Sequence, residues 1–264
     1  MATTFASVRP KGAPAGAPSF PRTHFYFWSR RSPAHAVAVA YALVQQSLTR
    51  PPVEALERAF ASGRGLTPAD ARFVADDAFG LLARNLELDD ALFLQQSLGA
   101  EGVEVDVVPE SDLPRLPDSQ LFTRVECREG TLAFFDALDR STEVACEAVA
   151  VIAAGYDQRE LKLELFLANE PQRLSTTLEL LELDRMRQYA DLAEPDNSGE
   201  QFRNLVRHLV SNCPRARLNR AAENLVKDGL AGDVTEAITY PRPTAYTEEL
   251  SWLLWRVRAS SQTV

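Results

Sequence analysis

The stretch that decides the fold is TPADARFVADDAFGLLARNLELDDALFLQQSLGAEGVEVDV, residues 67–107. Thr67 stands where a helix N-cap belongs, Pro68 at the first helical position, and Asp70 three residues after the cap. This is an acidic form of the capping box, which satisfies the orphan N–H groups of a helix start. Ala71, Val74, Ala75 and Ala78 supply its apolar side, and a short strand is expected around Leu81–Ala83. A further helix is read from Leu88 to Gly99, with Asp89 and Asp90 in the first turn, where carboxylates suit the helix dipole. Leu94 and Leu98 lie one turn apart on its inner side, and Gly102 ends it. Val103, Val105 and Val107 then alternate with Glu104 and Asp106, the period of a half-buried strand.

Upstream, Pro51-Pro52 separates an apolar stretch, Val37–Ser47, from a helix expected over 53–62 with Val53, Leu56 and Phe60 on one face. Gly63-Arg64-Gly65 should end that helix. The stretch 37–47 reads as a strand, although its alanines would also suit a helix; as a strand it makes the order over 41–108 strand–helix–helix–strand–helix–strand. Further upstream, His24–Trp28 offers a short aromatic strand. Residues 1–22, with Pro10, Pro14, Pro18 and Pro21 among glycines and alanines, read as a disordered basic tail.

Downstream, the Pro- and acid-rich residues 109–120 read as a linker. From Leu121 the pattern has period two: Leu121–Cys127, Thr131–Asp136, Val144–Ala153, Leu161–Leu167 and Leu174–Leu183. Turn signals lie between them at Glu129-Gly130, Asp139-Arg140, Gly155-Tyr156-Asp157 and Asn169-Glu170-Pro171. An antiparallel meander of about five strands is expected. Helices should follow from Ser198-x-x-Gln201, from Asn219 to Gly229, and from Thr247 onward. The fold class is therefore α+β: a βααβαβ domain over 23–108, a linker over 109–120, and a β-sheet domain with C-terminal helices over 121–264.

The first of these domains resembles the C-terminal domain of bacterial ribosomal protein L7/L12, whose fold the ClpS adaptor shares. Gly65-Leu66 resembles the Gly-Leu before that family's second helix, and Ala71 looks like the alanine of its Lys-Glu-Ala-Lys segment. Leu82 and Leu86 fall where the family has Leu and Val. Asp89-Asp90-Ala91 repeats its Asp-Asp-Ala, followed at matching intervals by Leu94, Leu98, Gly102 and Glu104-Val105. In the ribosomal protein the first two helices dock translational GTPases through basic and aliphatic residues. The resemblance places Arg58 and Arg72 as surviving cations of that face. Glu54 and Glu57 replace aliphatic residues there, Ala61 an arginine, and Ala69 and Ala83 fall at or near lysines. Carboxylates on that face would repel an acidic partner. Residues 121–211 are loosely similar to pleckstrin-homology-like modules.

Charge divides the chain unevenly. Residues 1–53 hold no Asp or Glu and six basic residues, whereas the rest holds 22 basic and 37 acidic groups. An acidic body argues against a broad nucleic-acid face, so contact with RNA is expected through residues 1–53 only. That head also has the Ser-, Ala- and Arg-rich look of an organellar transit peptide; otherwise a cytoplasmic location is expected. The longest apolar run, Ala36–Val44, is too short to span a bilayer, so no membrane association is expected. Cys127, Cys146 and Cys213 are odd in number and widely spaced, fitting neither a disulfide framework nor a zinc site.

No catalytic set, cofactor site or metal site emerges. His24, His35 and His208 make no His-x-x-x-His pair. A Cys213–His208 nucleophile is conceivable, but a packing cysteine and a helix-face histidine are the simpler reading. Asp136 and Asp139 fit a hairpin turn better than an active site. Trp252 and Trp255, three apart on the last helix, leave at least one indole for a docking patch. The expectation is a non-catalytic protein-interaction or scaffolding protein with Arg58, Arg72, Trp252 and Trp255 as possible contacts. The alternatives are a ribosome- or RNA-associated factor using the basic head, and an enzyme whose site assembles only in space.

Overall fold

Strand β1, Tyr41–Gln45, is apolar and continuous because both of its faces are covered. Leu43 packs into a helical cluster with Leu56, Phe60, Leu94 and Leu98. Ala42 and Val44 pack the other way, into a larger cluster built mostly from residues beyond 113. The computed structural model describes residues 39–61, 66–76, 78–157, 159–168, 172–186, 198–227 and 238–261. The basic head up to residue 38, the expected His24–Trp28 strand, Gly63-Arg64-Gly65, Asn169-Glu170-Pro171 and Gly229 lie outside them.

The chain is an α+β protein with several antiparallel pairings. After β1 come α1 (Val53–Phe60), a 3₁₀ turn at Pro68–Asp70 leading into α2 (Ala71–Asp76), β2 (Leu81–Leu86), α3 (Leu88–Ala100) and β3 (Val105–Pro109). The capping box at Thr67 is formed: its backbone N–H donates to Asp70 Oδ2 at 2.8 Å. β1 lies between β2 and β3, antiparallel to both. Ala91, Leu94 and Leu98 turn inward as the spacing predicts. Around β3 the inward set is broader than the alternation suggests. Val103, just before the strand, and Val105 face the helices, while Val108 faces the larger cluster.

The meander expected from residue 121 is two sheets. β4 (Ser119–Leu121) belongs to a five-stranded sheet with β8 (Val149–Tyr156), β9 (Leu161–Leu167), β10 (Arg173–Thr177) and β11 (Arg217–Leu218), ordered β11-β8-β9-β10-β4. β5 (Arg124–Arg128), β6 (Thr131–Phe135) and β7 (Ser141–Ala145) form a separate antiparallel sheet. The run read as one strand over Leu121–Cys127 therefore changes sheet midway. Phe122 N–H donates to Ser175 O in one sheet, and Thr123 N–H to Phe135 O in the other. The run over Val144–Ala153 is likewise interrupted by a 3₁₀ turn at Cys146–Ala148. Alternation reports which face a residue takes, not which sheet it joins, so neither break is visible in the pattern. The turns at Gly130 and Asp139 are formed, both at positive φ. Asp136 Oδ1 accepts from the N–H groups of Leu138 and Arg140.

The described residues beyond β10 include three further helices: α4 (Ser198–Asn212), α5 (Arg220–Val226) and α6 (Pro243–Ser261). Asn219 caps α5 as expected, accepting from Ala222 N–H. α6 begins at Pro243, one turn before the expected Thr247, with proline at the favoured first position.

Residues 38–264 form one compact unit. The stretch 109–120 runs along it, with Leu113 only 7 % exposed. Gln45 and Trp252 join the two clusters. Gln45 exchanges backbone and side-chain hydrogen bonds with Gly80, and its carbonyl accepts Trp252 Nε1–H at 2.6 Å. Gly80 has φ +92°, and a Cβ there would stand 2.3 Å from Trp252 Cγ, so the indole needs glycine at this point.

Candidate functional site

The residues singled out from the sequence occupy four different surroundings. Arg58, on α1, donates to Glu101 at the end of α3 (Nε to Oε2, 2.7 Å), so its charge is already matched. Arg72 is exposed on α2. Trp252 is buried in the seam just described and offers no surface. Trp255 is half-buried, with the Arg256 guanidinium 5.8 Å from its ring centre. These side chains belong to separate elements, and no shared cavity brings them together among the described residues.

The cysteines do converge, against the reading of their spacing. Cys213, just after α4, and Cys146 are buried in the same cluster, and Cys127 packs against it. Burial pushes the thiols of Cys127 and Cys213 up to about 12, with Cys146 adding to both. Such thiols are protonated at neutral pH and poor nucleophiles, so a Cys213–His208 pair has no support. We expect these two cysteines to stay unmodified by iodoacetamide in the native chain at pH 7 and to react once it is unfolded in urea. Mass-spectrometric counting of labelled thiols checks this. Among the described residues no group of three His, Cys, Asp or Glu is placed to hold a metal ion.

One polar assembly is interior, and the sequence showed only its cap. β11 pairs parallel with β8 at Val151 and Ile152. Asn219 follows directly and extends the ladder with its side chain: Oδ1 accepts from Ala154 N–H at 3.0 Å, and Nδ2 donates to Ala154 O at 2.7 Å. Oδ1 also caps α5 at Ala222 N–H, and Nδ2 also donates to Tyr240 Oη at 2.9 Å. Tyr240 in turn donates to Glu249 Oε2 at 2.7 Å, and Glu249 Oε1 accepts Arg220 N–H at 2.7 Å. Asn219 and Glu249 are 0 % exposed. Gly155 makes room for this assembly, since a Cβ there would meet Tyr240 at 2.6 Å.

Beside it Glu164, also 0 % exposed, pairs with Arg173 on β10. One carboxylate oxygen of Glu164 and the Tyr246 hydroxyl are buried without a hydrogen-bond partner. Burial raises the pKa of Glu164 against the opposing pull of Arg173, and burial likewise raises Glu249. A carboxyl whose folded pKa is raised contributes stability that is complete below its unfolded value, ~4.3, and lost as pH climbs through the folded value. Glu164→Gln should therefore gain stability relative to the native chain as pH rises above ~4.3. Urea unfolding of both proteins across that range measures the gap, and a gap independent of pH would contradict the account.

At the surface, large apolar side chains are exposed on the helical layer: Phe73 on α2, and Leu88, Leu92 and Phe93 on α3. On the β-sheet half Leu121 is 60 % exposed on β4. Two of three neighbouring open cavities, of about 620 and 360 Å³, touch that strand, and the third, of about 210 Å³, adjoins the first. The first and second share Gln120, and the first and third share Arg115, Pro117, Gln172 and Arg258. No protein-family model, curated protein or solved structure matches the chain. No described helix is long and apolar enough to cross a membrane.

Proposed function

We propose that the chain is a non-catalytic protein-interaction or scaffolding protein whose residues 41–108 are related to the C-terminal domain of ribosomal protein L7/L12. The order of β1 to β3 with their three helices, and the central place of β1 in that sheet, support the relation. The observation that carries the interaction reading is the apolar outer side of α3. Leu88, Leu92 and Phe93 are 40–47 % exposed there, although α3 already buries Ala91, Leu94 and Leu98. A helix apolar on more than its core side is ordinarily covered on the second side as well. Glu87 and Asp89 are exposed at the same end, so the partner should bring an apolar patch rimmed by cations. The docking face moves from Arg58 and Arg72 to α3, because Glu101 already occupies Arg58.

Chemical crosslinking in the native lysate, followed by affinity capture, tests the reading. The native chain should capture a reproducible partner, and the double variant Leu92→Glu/Phe93→Glu should lose it without a change in Tm. Recovery of the same proteins by both chains would sink the proposal.

A further inference from the structure

We infer that the open edge of β4, with the groove along it, is a docking site for an extended polypeptide strand bearing a carboxylate at one end. This surface is separate from the α3 face and stands independently of it.

β4 is the outermost strand of the five-stranded sheet and pairs on one side only, parallel to β10, with Ser119 opposite Arg173 and Leu121 opposite Ser175. All three of its residues are exposed, and among the described residues no backbone hydrogen bond reaches its other edge. Such an edge presents unpaired N–H and C=O groups at the spacing of a strand, and only another extended backbone satisfies them in register. Proteins blunt such edges by keeping them short or by placing a charge, a proline or a bulge on them. Ser119-Gln120-Leu121 is short but carries no charge, proline or bulge.

The cavities follow the same line. Gln120 lines both the cavity at the Leu121 end and the cavity at the Ser119 end of this strand, an open surface that suits a polymer lying along it better than an enclosed small molecule. Its two ends differ in chemistry. At the Leu121 end the walls mix apolar Leu121, Phe135 and Leu174 with polar Asp136, Arg140 and Thr142, and Asp136 is already paired with Arg140. At the Ser119 end Arg115 and Arg258 are both exposed on the cavity wall, and Asp118 is the only carboxylate among its lining residues. Two guanidiniums against one carboxylate favour an anionic group, and arginine holds carboxylates through paired N–H donors. An acidic side chain or a C-terminal carboxylate on the bound strand fits that end.

The experiment selects phage-displayed random peptides on the full chain. The strongest binder is then synthesised with its native backbone and with single N-methyl groups at alternate positions, and affinity is read by fluorescence anisotropy. Enriched peptides should be β-prone with an acidic residue or carboxylate at one end. N-methylation at the alternate set facing β4 should weaken binding about tenfold or more. Arg115→Glu/Arg258→Glu should do the same, whereas Leu92→Glu/Phe93→Glu should not. Backbone amide shifts in NMR should concentrate at Ser119–Leu121. Failure to enrich any peptide overturns the inference, as does a binder indifferent to both N-methylation and charge reversal. Either failure leaves the α3 reading untouched, since that rests on capture of its own partner.

Discussion

Asn219→Ala is expected to destabilise the chain by about 3–5 kcal/mol, among the largest losses a single side chain can cause. The carboxamide makes four hydrogen bonds, and every partner is buried or part of a capped helix start. Removing it leaves Ala154 N–H and C=O without partners inside β8, strips the cap from α5, and takes one donor from Tyr240. Each buried group left unpaired costs about 1–3 kcal/mol, and a lost cap about 1 kcal/mol. Two variants separate these contributions. Asn219→Ser should recover only the cap, about 1 kcal/mol. Asn219→Asp keeps both accepting bonds but turns an oxygen toward Ala154 C=O and Tyr240 Oη, and places a charge near buried Glu249. It should therefore fare no better than alanine. Urea unfolding of the three variants is the measurement; a loss below about 1 kcal/mol for Asn219→Ala would show that water replaces the amide.

Trp252→Ala should cost about 3–5 kcal/mol and lower Tm by on the order of 10 °C. The indole is 8 % exposed, packs against Gly80, and donates to the carbonyl of Gln45. Truncation removes a large buried apolar surface, opens a cavity in the seam, and leaves the Gln45 carbonyl unpaired. Trp252→Phe keeps most of the packing and loses only the donor, so its cost should be nearer 1 kcal/mol. Gly80→Ala attacks the same contact from the other side: its methyl group clashes with the indole, and φ +92° disfavours any Cβ. It should destabilise nearly as much as Trp252→Ala. Combining it with Trp252→Ala should cost less than the sum of the two, because the cavity relieves the clash. Additive losses in thermal unfolding would place the origin of the effect elsewhere.

These two positions show where the sequence is informative. Asn219 is recognisable as a helix cap because capping is local: an acceptor and an N–H three residues on. Its bonds to Ala154 span 65 residues and leave no periodic trace. Trp252 was a candidate for exposure because a helix with Leu250, Leu253, Leu254 and Val257 inward leaves adjacent positions free, and helical spacing cannot show that a second sheet lies there. Leu92 and Phe93 illustrate the converse. Their apolar character predicts burial, and only the packed structure shows that they face outward.

By itself the sequence determined the local elements: the Thr67 capping box, the inward side of α3, both hairpin turns and the Asn219 cap. Those features are set by interactions within a few residues, which spacing and side-chain chemistry report directly. Only the tertiary structure decided that the run from Leu121 crosses between two sheets, that three distant cysteines meet, and that Arg58 is neutralised by Glu101. It alone also left the edge of β4 open beside two arginines. Each of these depends on which segments meet after chain closure, and a pattern of period two or 3.6 carries no information about that.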